Sequence, residues 1–148
     1  MRHLLLYIVL FAAGLVCWSC DIETSSNGDL DGYWHLERID TIGGSFCDYG
    51  DKTVFWSFQN HLAQMSGMEG NPLVCRMEYG EGRIKLFTPC QFDRTTGDSL
   101  LTDVTLLRPY GMNSLSETFA VVSLSSQRLT LETMPEAWPL LRLTFRKY

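Results

Sequence analysis

The sequence predicts an all-β domain, an antiparallel up-and-down barrel of eight strands. Three observations predict it. Short runs rich in Val, Leu, Phe, Tyr, Trp and Thr recur from Gly32 onward, separated by Gly, Asn, Asp and Pro. That is the texture of half-buried strands joined by turns. Within the runs apolar and polar residues alternate, the period of a strand with one face inside. Three of the breaks, Gln59-Asn60, Gly80-Glu81-Gly82 and Ser125-Ser126-Gln127, are short enough for hairpins, so neighbours in sequence become neighbours in the sheet.

In chain order the strands are predicted over 33–40, 53–59, 61–66, 73–79, 83–88, 118–124, 128–133 and 140–147. Their inward faces carry Val54, Trp56 and Phe58; Leu73, Cys75, Met77 and Tyr79; Ile84 and Leu86; Phe119 and Val121; Leu129 and Leu131; Leu141, Leu143 and Phe145. Arg76, Glu78, Arg83, Lys85, Arg142 and Arg146 then face out. Residues 100–107 fit two patterns: Leu100, Val104 and Leu107 share a face of a short helix, while Thr and Val suit a strand. Pro109 ends either one. Closing eight strands removes the exposed edges, although a two-sheet sandwich shows the same alternation.

The chain has 148 residues, 45% hydrophobic and 20% charged, as expected of one folded domain. Its formal charge is −5, and an acidic balance argues against nucleic acid as a partner. No internal repeat or low-complexity tract is visible.

Residues 1–19 read as a leader. Arg2 and His3 make a short basic start, and residues 4–16 an apolar run of thirteen. That is short for a bilayer span and fits a signal-peptide core. Ser19 precedes Cys20, and a polar stretch, Asp21-Ile22-Glu23-Thr24-Ser25-Ser26-Asn27-Gly28-Asp29, follows it. Here the chain resembles bacterial lipoproteins. A cut before Cys17 would instead leave Val16 at the cleavage site, which fits less well; an ordinary secretory signal or an uncleaved anchor is the remaining reading of this leader. The resemblance implies cleavage after Ser19, acylation of Cys20 by chains such as palmitate, and membrane anchoring. It places the protein in the bacterial cell envelope, as a periplasmic or surface-exposed outer-membrane lipoprotein. Loss of Arg2 with the leader takes the charge from −5 to −6. Residues 20–31 read as a flexible tether. Acidic residues just after the lipidated cysteine also resemble the surface-export signal of lipoproteins of the Bacteroides group.

Gly32-Tyr33-Trp34 resembles the Gly-x-Trp of lipocalins, whose Trp plugs the closed end of the barrel. A long loop over 41–52 stands where lipocalins carry a lid over the open end. The last strand, Leu141-Arg142-Leu143-Thr144-Phe145-Arg146-Lys147, carries arginines, and lipocalins lay one across the Trp indole; by alternation, however, Arg142 and Arg146 face out. Residues 32–148 are similar to the small lipocalin-like lipoproteins of the Bacteroides group. The resemblance implies a binding protein for a small apolar or amphipathic ligand.

In such a barrel the loops at 41–52, 67–72 and 89–100 gather at the open end, near Cys47, Cys75 and Cys90. An exported protein can form disulfides, and three cysteines allow one bond with one thiol left. Cys75 and Cys90 are expected as diagonal neighbours on one face about 7–8 Å apart, marginal for a disulfide. Cys47 could reach Cys90 instead, and three free thiols are the remaining outcome.

Nothing in the sequence names a reaction. There is no nucleophile elbow, phosphate loop or zinc-protease motif, so the protein is expected not to be an enzyme and to hold no cofactor or metal. His35 and Glu37 alternate on one face, but His35 is expected on the surface without a third ligand. Arg38, inward if Trp34 and Leu36 are, would need a buried partner. A ligand carboxylate or phosphate would serve, as would an internal acid or a kink turning it to water. Trp34, Arg38, Trp56, Phe58, Met77 and Phe119 are the candidate ligand residues. The aromatic ones either fill a small barrel or line an apolar pocket. The alternative to ligand binding is an accessory role, docking an envelope complex or an external macromolecule through the open-end loops. Exposed Phe46, Tyr49, Met68 and Leu73 would mark that surface.

Overall fold

The computed structural model describes residues 25–148. The leader, Cys20 and the first part of the tether lie outside the described residues. Ten strands form: β1 (Gly32–Thr41), β2 (Phe46–Asp48), β3 (Phe55–Gln59), β4 (Leu62–Ser66), β5 (Leu73–Gly80), β6 (Arg83–Gln91), β7 (Ser99–Leu100), β8 (Glu117–Leu124), β9 (Arg128–Thr133) and β10 (Leu141–Lys147). Eight of them pair antiparallel in the order β1-β3-β4-β5-β6-β8-β9-β10, and β10 returns to β1. The barrel is closed, and its strands match the eight predicted ones. β2 and β7 are short strands that pair antiparallel with the open-end stretches of β1 and β6.

The inward-pointing residues make one core. Trp34, Leu36, Trp56, Ala63, Met65, Cys75, Ile84, Leu86, Phe119, Leu129, Leu131, Leu143 and Phe145 are fully buried. The hairpins β3–β4, β5–β6 and β8–β9 lie at one end. There a 3-10 turn, Gly28–Leu30, seals the barrel. Leu30 is buried beneath Trp34, and the Trp34 indole N–H donates to the Leu30 carbonyl at 2.7 Å. The expected cation over Trp34 is present, but it is Lys147, whose Nζ stands 4.9 Å from the ring centroid. Lys147 shares the inward parity of Leu143 and Phe145, which Arg142 and Arg146 do not. Its ammonium also donates to the Asp29 carbonyl. Part of the stretch read as tether is therefore tied down: Ser25 bonds to Asp31, and Asn27 to Asp31 and the Asn60 carbonyl.

Two β-bulges overturn two expectations. Leu36 pairs with Phe145 and Arg38 with Thr144, so Glu37 is an extra residue in β1. An inserted residue reverses the alternation beyond it. Ile39 consequently enters the core and Arg38 turns out to solvent. In the β5–β6 pair, Arg76 stands opposite Phe87 but Val74 opposite Cys90. The extra residue is on β6, where Thr88 has φ of 51°. Cys90 is thereby moved to the outer face while Cys75 stays inside, so the two are not on one face as expected. The three cysteines stand as thiols.

Residues 100–107 form neither the expected helix nor a strand beyond β7. A 3-10 turn follows instead at Arg108–Tyr110, with Pro109 in its first turn. There the missing N–H costs nothing, so Pro109 begins the turn rather than breaking an element.

Candidate ligand site at the open end

The open end gathers the long connections, as the strand order requires. The chain between β7 and β8 is folded down over the mouth as a stopper. Leu107, Tyr110 and Met112 from it are buried in the core. Gly111 lets it turn: φ is 90°, and a Cβ there would lie 2.7 Å from Leu143 Cδ2. Only glycine combines that backbone with so close an approach. The stopper is bonded to both neighbouring loops. The Tyr49 hydroxyl donates to the Pro109 carbonyl at 2.9 Å, and the Met68 N–H donates to the Tyr110 hydroxyl at 3.2 Å. Burial pushes the phenol pKa of both tyrosines above the ordinary value; for Tyr110 the Met68 N–H partly offsets this.

Behind the stopper the barrel is filled. Trp34, Trp56, Phe58, Met77 and Phe119, candidates to line a pocket, are the core itself, each at most 1% exposed. The Trp56 ring meets those of Phe58, Phe119 and Phe145 at centroid distances of 6.0, 5.8 and 5.4 Å. Its N–H has no oxygen partner. Such a group is unfavourable in an apolar interior, and the surrounding rings offer it at most weak contacts with their faces. Arg38 does not enter the barrel. Its guanidinium lies over the Phe46 ring at 4.0 Å and pairs with Asp40 at 2.5 Å.

Outside the barrel, hollows open at the closed end beside Asp31 and Asn60 and along the outer face beside Gln64 and Val74; the one with apolar walls at the open end is at the rim. A cavity of about 280 Å³ lies between the 67–72 loop and the stopper, lined by Met68, Glu69, Asn71, Leu73, Gln91, Thr105, Leu106, Pro109 and Tyr110. Of the residues expected to be exposed for docking, Phe46 is exposed, Met68 half-buried, and Tyr49 and Leu73 buried. The sequence carries little signal for this cavity, since its walls come from two separate loops and the ends of β5 and β6 and are set by how these fold over one another.

His35 is not the surface residue expected. It points away from the core, yet the chain before β3 covers it and leaves it 7% exposed. Its Nε2 donates to the Lys52 carbonyl at 2.6 Å, and its ring packs on Phe55. Glu37 accepts bonds from Arg128 at 2.6 Å and Arg146 at 3.0 Å. Glu37 is taken by the two arginines; the His35 Nδ1 is buried without a hydrogen-bond partner, but no group of three His, Cys, Asp or Glu side chains suited to an ion occurs among the described residues. His61 is exposed.

One buried carboxylate escaped the sequence reading. Glu117 is 5% exposed at the start of β8. Its Oε2 accepts the N–H groups of Asn113 and Ser114 at 2.5 and 3.0 Å, holding the loop that leads from the stopper into β8. Burial raises its pKa, and the two hydrogen bonds partly offset the shift.

A closed up-and-down barrel, sealed by a 3-10 turn and a tryptophan and covered by loops at the other end, defines a lipocalin-type fold. The model for the family described as a lipocalin-like domain matches residues 14–148. The chain belongs to that family. Its fold is similar to that of a lipocalin-like protein from Bacteroides uniformis ATCC 8492. The two share 22% identity and a TM-score of 0.59, over 82% of this chain and 100% of that one. A second solved structure, an uncharacterized protein from Bacteroides eggerthii DSM 20697, matches at 18% identity and a TM-score of 0.48, over 80% and 99% of the two chains. No curated protein matches the chain.

Proposed function

We propose that this is a non-enzymatic, membrane-anchored lipocalin-like binding protein of the bacterial cell envelope, which takes a small apolar or amphipathic ligand in the rim cavity. The observation that carries the reading is the cavity between Leu73, Leu106 and Tyr110, apolar in its walls with Gln91, Asn71 and Thr105 to orient a polar head. Its volume of about 280 Å³ suits a ligand below drug size. The acid at its edge is Glu69 and Arg38 is turned away, so the head group is neutral or basic. Acylation at Cys20 supplies the anchor. Cys20 precedes Ser25 by five residues, a reach of about 17 Å if extended. Ser25 is bonded at the closed end, so in this reading the rim faces away from the lipid.

The test is native mass spectrometry of protein taken from its own host's membranes, with decanol titration of the stripped protein. A retained small molecule of one mass, lost in Leu106→Glu, supports the reading. No retained mass and no decanol binding would sink it. Phe46 and Leu100, 56% and 60% exposed at the same end, favour the second reading, docking of a larger partner. A protein that co-purifies and is lost in Phe46→Ser would support that one.

A further inference from the structure

A second hollow opens on the other side of the rim, where the β9–β10 loop meets the loop before β8. Its volume is about 440 Å³, and Asn113, Ser114, Ser116, Glu117, Glu136 and Trp138 line it. Trp138 is 86% exposed, whereas Trp34 and Trp56 are 0% exposed. Its indole is therefore not used by the core, and removing it from water is left for another molecule.

The loops around the indole are held by bonds to one another. The Asn113 side-chain amide donates to the Pro139 carbonyl at 3.1 Å. Glu117 fixes the Asn113 and Ser114 N–H groups. The Ala137 N–H closes a turn on the Met134 carbonyl at 2.9 Å. Glu117 Oε1 takes no hydrogen bond among the described residues, and neither does the Ser116 hydroxyl. The hollow thus combines a flat exposed ring, with Met134 and Ala137 beside it, and a set of hydroxyl, amide and carboxylate groups.

We infer that this hollow binds a neutral oligosaccharide, with Trp138 as the stacking platform and Ser116, Asn113 and Glu136 bonding the sugar hydroxyls. The C–H face of a pyranose is apolar and its rim is a belt of hydroxyls, so one ring satisfies both surfaces. A purely apolar ligand would match Trp138, Met134 and Ala137 but strip water from the hydroxyl, amide and carboxylate groups and leave them unpaired. Two carboxylates at the site disfavour phosphate and uronic acid groups. The inference is independent of the rim cavity, which lies among other loops.

The experiment follows iodide quenching of tryptophan fluorescence in the full mature chain, since Trp138 is the exposed indole among the described residues. The probes are hexamers of glucose in α- and β-linkage, mannose, xylose and N-acetylglucosamine, with oligogalacturonate as the acidic comparator. At least one neutral hexamer should shield Trp138, with a Kd on the order of 1 mM or tighter. By calorimetry Trp138→Ala should lose about tenfold or more in affinity, Trp138→Phe should keep part of it, and neither should change the unfolding midpoint appreciably. Leu106→Glu should leave sugar binding intact, so failure of the rim-cavity reading remains distinguishable. The inference is overturned if no neutral hexamer shields Trp138, if oligogalacturonate binds as well as the neutral probes, or if only a protein covers the indole.

Discussion

Leu107→Ala tests whether the stopper is a working part of the core. Leu107 is 0% exposed, and its neighbour Leu106 is 44% exposed. Removing the outer carbons of Leu107 forfeits about 0.8 kcal/mol for each of roughly three methylene equivalents, or about 2.4 kcal/mol. A residual cavity would add to that and bring the total toward the upper half of the usual 2–5 kcal/mol or so. The stopper, however, has a 3-10 turn as its regular element, and irregular chain can settle into the gap more easily than a paired strand. The expected loss is therefore about 2–3 kcal/mol. Leu106→Ala should cost less than about 0.5 kcal/mol. Urea unfolding followed by tryptophan fluorescence, in a Cys20→Ala background that stays out of the membrane, measures both. The m-value should be unchanged, because the same surface is exposed on unfolding. If Leu107→Ala costs under about 1 kcal/mol, or no more than Leu106→Ala, the stopper does not occupy the barrel mouth in solution and the filled-barrel reasoning fails.

Two further outcomes follow from buried groups. Glu117 has a folded pKa above its ordinary 4.5, so the native state holds this proton more tightly than the unfolded chain. The stability it contributes is present below 4.5 and declines as pH rises through the folded value. Unfolding of Glu117→Gln should thus depend less on pH above 4.5 and be no less stable at pH 7, whereas Glu117→Ala, which orphans two N–H groups, should lose about 1–3 kcal/mol; a steeper pH profile in the Gln variant would contradict this. Burial, with the Cys90 thiol nearby, pushes the Cys75 thiol up to about 12. Timed maleimide labelling read by mass spectrometry should find Cys47 modified in the native protein and Cys75 only after unfolding; prompt native labelling of Cys75 would show the β5–β6 region to be open.

The strands were legible because each keeps one face in the core and the other in water, so burial is written into the sequence at every second position. The runs at Trp56, Met77, Leu131 and Leu143 were placed on the correct face for that reason. The lysine over Trp34 followed the same rule, visible in the parity of Lys147 with Phe145, although an arginine was expected there. Alternation fails at Glu37, at Thr88 and, in β8, at Val122. A bulge adds one residue without changing composition, and nothing in the local pattern distinguishes Arg38 inside from Arg38 outside. Opposite strand registers decide it, and they are set by residues more than a hundred positions away in β10.

The sequence by itself determined the strand number, their up-and-down order and the end at which the loops gather, because pattern and turn length are local. Only the tertiary structure decided what the interior holds. A barrel with the same inward residues is a calyx if its mouth stands open and a packed core if a loop enters it. Here Gly111 allows the stopper to turn, and Leu107, Tyr110 and Met112 occupy the mouth. In the proposed reading the ligand is thereby taken at the rim, where loops distant in sequence meet.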